Sequence, residues 1–264
     1  MTIIPALFLF VSLAADSGWR AVSYRFEVRA DTDSAYAAVG TVVYRDRAVA
    51  RRGHAVLDRT VAFTTARSTS TTTSEADSAT GLPIAEEVHD GRRDMRFAFD
   101  GQRVRGVILY RDSATRVVDL TLPAAVYDFT DLSRLIGRLP LRDGYATTMP
   151  FFTYDDPSGI EVDTLRVVGT RTVGTGTGSV DVWVVRFADP VLVQTIWVDR
   201  RTGESLVQVG QFRGRGRGFR AVRDGVVVAS AAEAAQGVED GVLAGAADGD
   251  AGAVGEDGGE VAVA

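Results

Sequence analysis

Residues 198–208 read VDRRTGESLVQ, and residues 76–87 read ADSATGLPIAEE. Each stretch carries Asp, two residues, then Thr-Gly, at Asp199…Thr202-Gly203 and Asp77…Thr80-Gly81. Each copy lies between two strand-like segments, so its residues must reverse the chain. An Asp side chain accepts backbone N–H groups inside such a turn, and glycine takes positive φ without steric cost. Turn chemistry thus accounts for every residue of the motif. A catalytic reading would need a nearby base or nucleophile, and neither copy has a histidine beside it. The repeat is read as scaffold, two equivalent hairpin turns in one antiparallel β architecture.

Working outward, most of the chain alternates with a period of two, the pattern of half-buried antiparallel strands. In residues 21–29, Val22, Tyr24, Phe26 and Val28 are apolar, while Arg25, Glu27 and Arg29 are charged. Strands are expected at 41–44, 56–64, 82–88, 95–99, 103–110 and 117–122, with Asp100-Gly101 as a hairpin turn. The Ser/Thr run at 68–74 reads as a solvated strand rather than a linker. Further strands are expected at 162–168, 180–187, 191–198 and 206–212. Only residues 128–138 break the pattern. Leu132, Leu135, Ile136 and Leu139 recur at helical spacing, Thr130 or Asp131 offers an N-cap, and Pro140 stops the helix.

Composition limits the chemistry. The chain has 264 residues and no cysteine, and its 29 basic residues are all arginine. Disulfides, thiolate metal sites, Schiff-base lysines and a Walker-type phosphate loop are therefore excluded. Eight of the acids fall in residues 233–264, which contain no arginine. The remainder is close to neutral, which argues against nucleic acid as the main partner. Residues 1–15 read as a signal peptide, with an apolar run from Ile3 to Leu13 and the small-x-small site Ser12-Leu13-Ala14. No later segment is long and apolar enough for a transmembrane helix. Residues 16–228 read as one β-rich domain. Residues 229–264, rich in Ala, Gly and acids and lacking aromatics, read as a disordered tail.

The motifs carry a resemblance. Trp197-Val198-Asp199-Arg200-Arg201-Thr202-Gly203, followed by Leu206-Val207, is similar to the tryptophan hairpin of bacterial lipoprotein-sorting proteins of the LolA and LolB type. Asp77 to Pro83 resembles a second such hairpin. Leu139 to Tyr145, and Leu165 to Thr170 leading through Gly174–Gly178 to Trp183, resemble a related, functionally uncharacterised family of periplasmic domains. The likeness spans about residues 20–212. It implies a mainly β fold, with a strongly curled antiparallel sheet forming a half-barrel that does not close. One helix around 128–138 would cover its concave face. It also implies an apolar cavity that receives acyl chains. Two features of the LolA and LolB types find no counterpart here, an arginine lock and an amino-terminal cysteine.

The residues to line such a cavity are Trp183, Phe187, Ile196 and Trp197 from the strands and Leu132, Leu135 and Ile136 from the helix. Their plainer reading is core packing. Arg213, Arg215 and Arg217 alternate with glycine and would share one face if extended, offering a dock for anionic lipid head groups or for the acidic tail. Their plainer reading is a solvated edge strand or loop. Gly174 to Gly178 precedes a strand rather than a helix, so it is a flexible turn and not a nucleotide loop. His54 and His89 lack further ligands at suitable spacing, so no metal or cofactor is expected. Glu86 and Glu87, adjacent in a strand, point to opposite faces and cannot act together. Asp155-Asp156 is turn chemistry, and no GxSxG elbow occurs. The expected function is non-catalytic binding of an apolar or lipid-like ligand in the bacterial periplasm or outside the cell. The alternative is an envelope protein–protein interaction domain with a filled core. A hydrolase would announce itself by clustered buried carboxylates.

Overall fold

The computed structural model describes residues 18–29, 35–51, 53–112, 114–154, 158–213 and 217–228. The segments expected to be a signal peptide and a disordered tail, Arg215, and residues 155–157 lie outside the described residues.

Two antiparallel meanders form one sheet. The first runs through β1 (Arg20–Arg29), β2 (Ala37–Arg51), β3 (His54–Thr65), β4 (Thr69–Asp77), β5 (Pro83–His89), β6 (Arg93–Asp100), β7 (Arg103–Tyr110) and β8 (Thr115–Thr121). A 3-10 turn at Phe129–Asp131 and the helix α1 (Leu132–Ile136) follow. The second meander begins at β9 (Ala146–Phe152) and β10 (Ile160–Thr175) and continues through β11 (Gly178–Ala188), β12 (Leu192–Asp199), β13 (Ser205–Phe212) and β14 (Gly218–Arg223). The pairing of β14 with β1 joins the two, and the short β15 (Val226–Val227) pairs with the end of β10.

The expected strands are present, the Ser/Thr run among them as β4. The arginine-glycine tract divides. Arg213 and Arg217 are exposed outside the strands, as the plainer reading expects of a solvated loop, while Gly218 to Arg220 open β14, which lies inside the sheet between β13 and β1 and buries Ala221 and Val222.

The sheet curls without closing. Register shifts at Phe26/Glu27, Glu75/Ala76, Val167/Gly169 and Trp197/Val198 mark bulges, which bend a strand and increase its twist. The two ends of the sheet meet through side chains instead of a ladder. Phe152 from β9 packs edge-on against Phe97 and Phe99 from β6, with ring centroids 5.1 and 5.3 Å apart. Each such pair contributes about 0.5–1.5 kcal/mol beyond the area it buries.

The repeated turns are superposable in their bonding. Asp77 Oδ1 accepts the amides of Ala79 and Thr80, and Asp199 Oδ1 accepts those of Arg201 and Thr202. Gly81 and Gly203 have φ of 74° and 73° and donate to the carbonyls of Asp77 and Asp199. In each copy the register shifts one residue ahead of the Asp, with the extra residue, Ile84 or Leu206, on the strand that follows the turn. Asp199 is buried and Asp77 half-exposed. Asp199→Ala is therefore expected to cost about 2 kcal/mol and Asp77→Ala about 1 kcal/mol, read as shifts in urea midpoint. Equal costs would contradict this ranking.

These turns also hold the helix. A Cβ on Gly81 would lie 2.7 Å from Leu135 Cδ2, and one on Gly137 would lie 2.2 Å from the Gly203 carbonyl oxygen. Arg138 donates to the Ser78 carbonyl at 2.7 Å. The helix is shorter than its apolar spacing predicts. Its cap and stop also differ from expectation. Asp131 holds the expected N-cap position of α1 but its side chain makes no cap bond; the side chain of Asp128 instead accepts the Thr130 amide and caps the preceding 3-10 turn, and the helix ends at Gly137 before reaching Pro140.

Candidate functional site on the concave face

Arg59 on β3 donates to the Thr130 carbonyl and to Ser133 Oγ, so its side of the sheet is the one the helix covers. Alternation and register then place Val61 and Phe63, Tyr44 and Val42, and Tyr24 and Phe26 on that side.

Four regions follow along this face. In the first, Leu132, Leu135 and Ile136 pack with Phe187, Ile196, Met149, Phe151 and Leu165, and Trp183 lies against the group, half-buried. The structure thus brings most of the proposed cavity residues together as a packed core beneath the helix. Trp197 is separate. It lies in the cluster of Val182, Val184, Val207 and Val222 on the other side of β12.

The second region is a buried charged cluster under the 3-10 turn. Asp131 accepts from Arg134 at 2.5 Å and from Ser74 at 3.3 Å, and Glu86 accepts from the Thr130 hydroxyl at 3.1 Å. Arg59 chelates Asp46 with bonds of 2.7 and 2.9 Å. Burial drives the Asp128 carboxyl up to about 7, with the charge of Asp131 adding, and pushes Glu86 well above the carboxylate range beside Asp128. Glu86 and Asp128 lie close enough that the charge of Asp128 raises Glu86 further, and both meet Thr130, through its hydroxyl and its amide respectively. Glu87 instead pairs with Arg96 at 2.6 Å. Sequence reasoning missed this cluster. Glu86 and Asp128 meet only because β5 and the turn before α1 converge.

The third region is a row of phenylalanines. Ring centroids are 4.8 Å apart from Phe63 to Phe26, 5.6 Å from Phe26 to Phe219, and 6.3 Å from Phe219 to Phe212. All four rings are half-buried. Among the described residues, the cluster holding Phe26 and Phe63 includes no helix residue. The Phe219 ring lies over Gly210, where a Cβ would come within 2.1 Å of it.

The fourth region is the β13–β14 hairpin at the end of that row. Arg213 and Arg217 are both exposed there, and Arg213 Nε donates to the Asp189 carbonyl. Arg186 sits nearby, its pKa lowered by burial and by the charges of Arg166 and Arg213.

Two clefts are open to solvent. One of about 380 Å³, lined by Arg47, Arg51, Asp58 and Arg96 among others, lies mainly on the face of the sheet turned away from the helix. Another of about 270 Å³ lies where Tyr24 and Tyr44 meet the end of α1 and the Asp199 turn. Charged side chains line both clefts, although apolar atoms supply the larger part of the lining surface in each. Among the described residues, no grouping of three or more His, Asp and Glu is arranged to hold a metal ion, and no helix is long and apolar enough to cross a membrane.

Among solved structures, the chain is similar to a DUF1329 family protein from Desulfovibrio piger, with 7% identity, a TM-score of 0.26, and coverage of 79% of this chain and 85% of that one. No curated protein matches. Residues 20–216 match the family described as a protein of unknown function (DUF3108), and with that span from β1 into the β13–β14 hairpin the chain belongs to the DUF3108 family.

Proposed function

We propose that this chain is a non-catalytic protein of the bacterial cell envelope that holds an apolar, lipid-like ligand on the concave face of its curled sheet. The row Phe63–Phe26–Phe219–Phe212 carries the reading. It is the stretch of the helix-facing side where large aromatic rings stay half-buried instead of packing under α1. An acyl chain laid along it gains about 0.8 kcal/mol per CH₂ removed from water. Of the residues first expected to line a cavity, Phe187 and Ile196 form the floor on which Leu132, Leu135 and Ile136 of the helix rest, with Trp183 beside them. The resemblance to lipoprotein-sorting domains supports the same ligand class. The buried carboxylates Glu86, Asp128 and Asp131 form the kind of cluster that a hydrolase would show, and among the described residues Asp128 Oδ2 and Asp131 Oδ2 accept no hydrogen bond, but each group also has a structural contact. Asp128 caps the 3-10 turn, Asp131 takes Arg134 and Ser74, and Glu86 takes Thr130.

The test is native mass spectrometry of the full chain purified from a bacterial periplasm, before and after solvent extraction, with lipid analysis of the extract. The expected result is stoichiometric lipid on the wild type, reduced at least tenfold in Phe26→Ser/Phe219→Ser at unchanged circular dichroism. A bare wild type that takes up neither added fatty acid nor phospholipid would overturn the reading. The alternative, docking of an envelope partner, would then take its place at the open edge of β8, where Val117 is 76% exposed.

A further inference from the structure

The smaller cleft has a composition that its own ion pairs do not exhaust. Arg20, Arg59, Arg134, Arg138 and Arg223 line it, against the carboxylates of Asp46 and Glu204. Glu204 is shared by Arg20 and Arg223, and Asp46 is chelated by Arg59. Among the described residues, Arg138 hydrogen-bonds only to the Ser78 carbonyl. Arg134 spends Nη2 on Asp131, while its buried Nη1 makes no hydrogen bond and has Asp46 no closer than 3.8 Å. Burial pulls the Arg134 guanidinium below its ordinary value. Asp131 offsets part of this, and the charges of Arg59 and Arg138 add to it. An unsatisfied buried N–H costs about 1–3 kcal/mol, and more when the group is charged.

We infer that this cleft, between β1, β3, β14 and the end of α1, binds a phosphate-class anion through Arg134 and Arg138, with Arg20, Arg59 and Arg223 around it. The arginines arrive from three strands and from the helix end. Their N–H forks therefore converge from different directions. A planar carboxylate takes its donors close to one plane, whereas a tetrahedral phosphate accepts them from several directions. A cleft of about 270 Å³ has room for a phosphate monoester head. Tyr24 and Tyr44, whose rings are 5.3 Å apart, form its apolar wall. Phe26 lies two residues beyond Tyr24 on the same side of β1, so the cleft adjoins the phenylalanine row. The phosphate comes either from the free ion or from the head of a lipid lying on that row. Only the second source rests on the function proposed above.

The experiment titrates the full chain at low ionic strength with inorganic phosphate and, separately, with monododecyl phosphate below its micelle concentration, by calorimetry. Inorganic phosphate is expected to bind saturably. Loss of one charge-assisted contact in Arg134→Gln or Arg138→Gln should weaken it about tenfold or more. Arg116→Gln, on the distant β8, should leave it unchanged. If Arg134→Gln does not fold, because Asp131 loses its partner, Arg138→Gln decides alone. Absence of saturable phosphate binding, or binding indifferent to both substitutions, overturns the site. Tighter binding of monododecyl phosphate that Phe26→Ser/Phe219→Ser abolishes assigns the anion to a lipid head. Equal affinity for both probes, unaffected by those serines, keeps the anion site and removes its link to the lipid.

Discussion

Gly137→Ala is expected to destabilise the protein by about 3 kcal/mol, the upper end of the cost of overpacking. Helix propensity alone gives the opposite sign, because alanine is better than glycine by about 1 kcal/mol in a helix. Gly137 has φ of −62°, which any residue adopts, so no backbone strain is involved. The objection is contact. The new Cβ would lie 2.2 Å from the Gly203 carbonyl oxygen, and a Cβ on Gly203 would lie 2.5 Å from that of Gly137. Two backbones touch there, and neither can rotate away as a side chain would. Gly203→Ala adds the strain of φ near 73° and should cost at least as much. Gly81→Ala meets the flexible end of Leu135 and should cost less than Gly203→Ala. Gly101→Ala has open space and pays only for its positive φ, about 1 kcal/mol. Urea midpoints for the four variants give the ranking. A neutral or stabilising Gly137→Ala would show that the Asp199 turn does not seat the helix.

That contact explains how much was legible in the sequence. Alternation exposed the strands, since burial of one face leaves a period-two signature, and the Asp-x-x-Thr-Gly repeat exposed two equivalent turns because their bonding is local. The helix was visible from Leu132, Leu135 and Ile136. Its seat was not, because the C-cap Gly137 packs backbone to backbone against Gly203, which is 66 positions away in the chain. β14 was obscured by the arginine-glycine tract that leads into it, although Ala221 and Val222 are core residues. The phenylalanine row was invisible for a topological reason. Phe26 and Phe219 become neighbours only through the β1–β14 pairing that joins the two meanders. Glu86 looked like one half of an adjacent pair with Glu87, yet its partner is Asp128 from the turn before α1. Burial of a charge depends on what folds over it, and a single strand does not encode that.

Asp163→Asn is expected to stabilise the protein at pH 8 and to leave it nearly unchanged at pH 4. Asp163 lies on β10 opposite Met149, two residues before Leu165, and is fully buried. Neither carboxylate oxygen has a hydrogen-bond partner. Burial pushes its pKa up to about 7, and the charges of Glu161 and Asp189 act in the same direction. The sign follows from which state releases the proton first. The unfolded carboxyl ionises near pH 4 and the folded one near 7. Its stabilising contribution is therefore complete below about pH 4 and falls as pH rises to about 7. A shift of about three units corresponds to a penalty of up to about 4 kcal/mol at pH 8, which the neutral, nearly isosteric asparagine avoids. Asp128, also raised to about 7, and Glu86, raised beside it, tilt the wild type the same way. The wild-type stability should therefore decline from pH 5 to pH 8, and Asp163→Asn should flatten part of that decline. Urea midpoints at pH 4.5 and 8.0 separate the two variants. An equal increment at both pH values would mean that Asp163 is not protonated in the folded chain, and that Asn acts through packing alone.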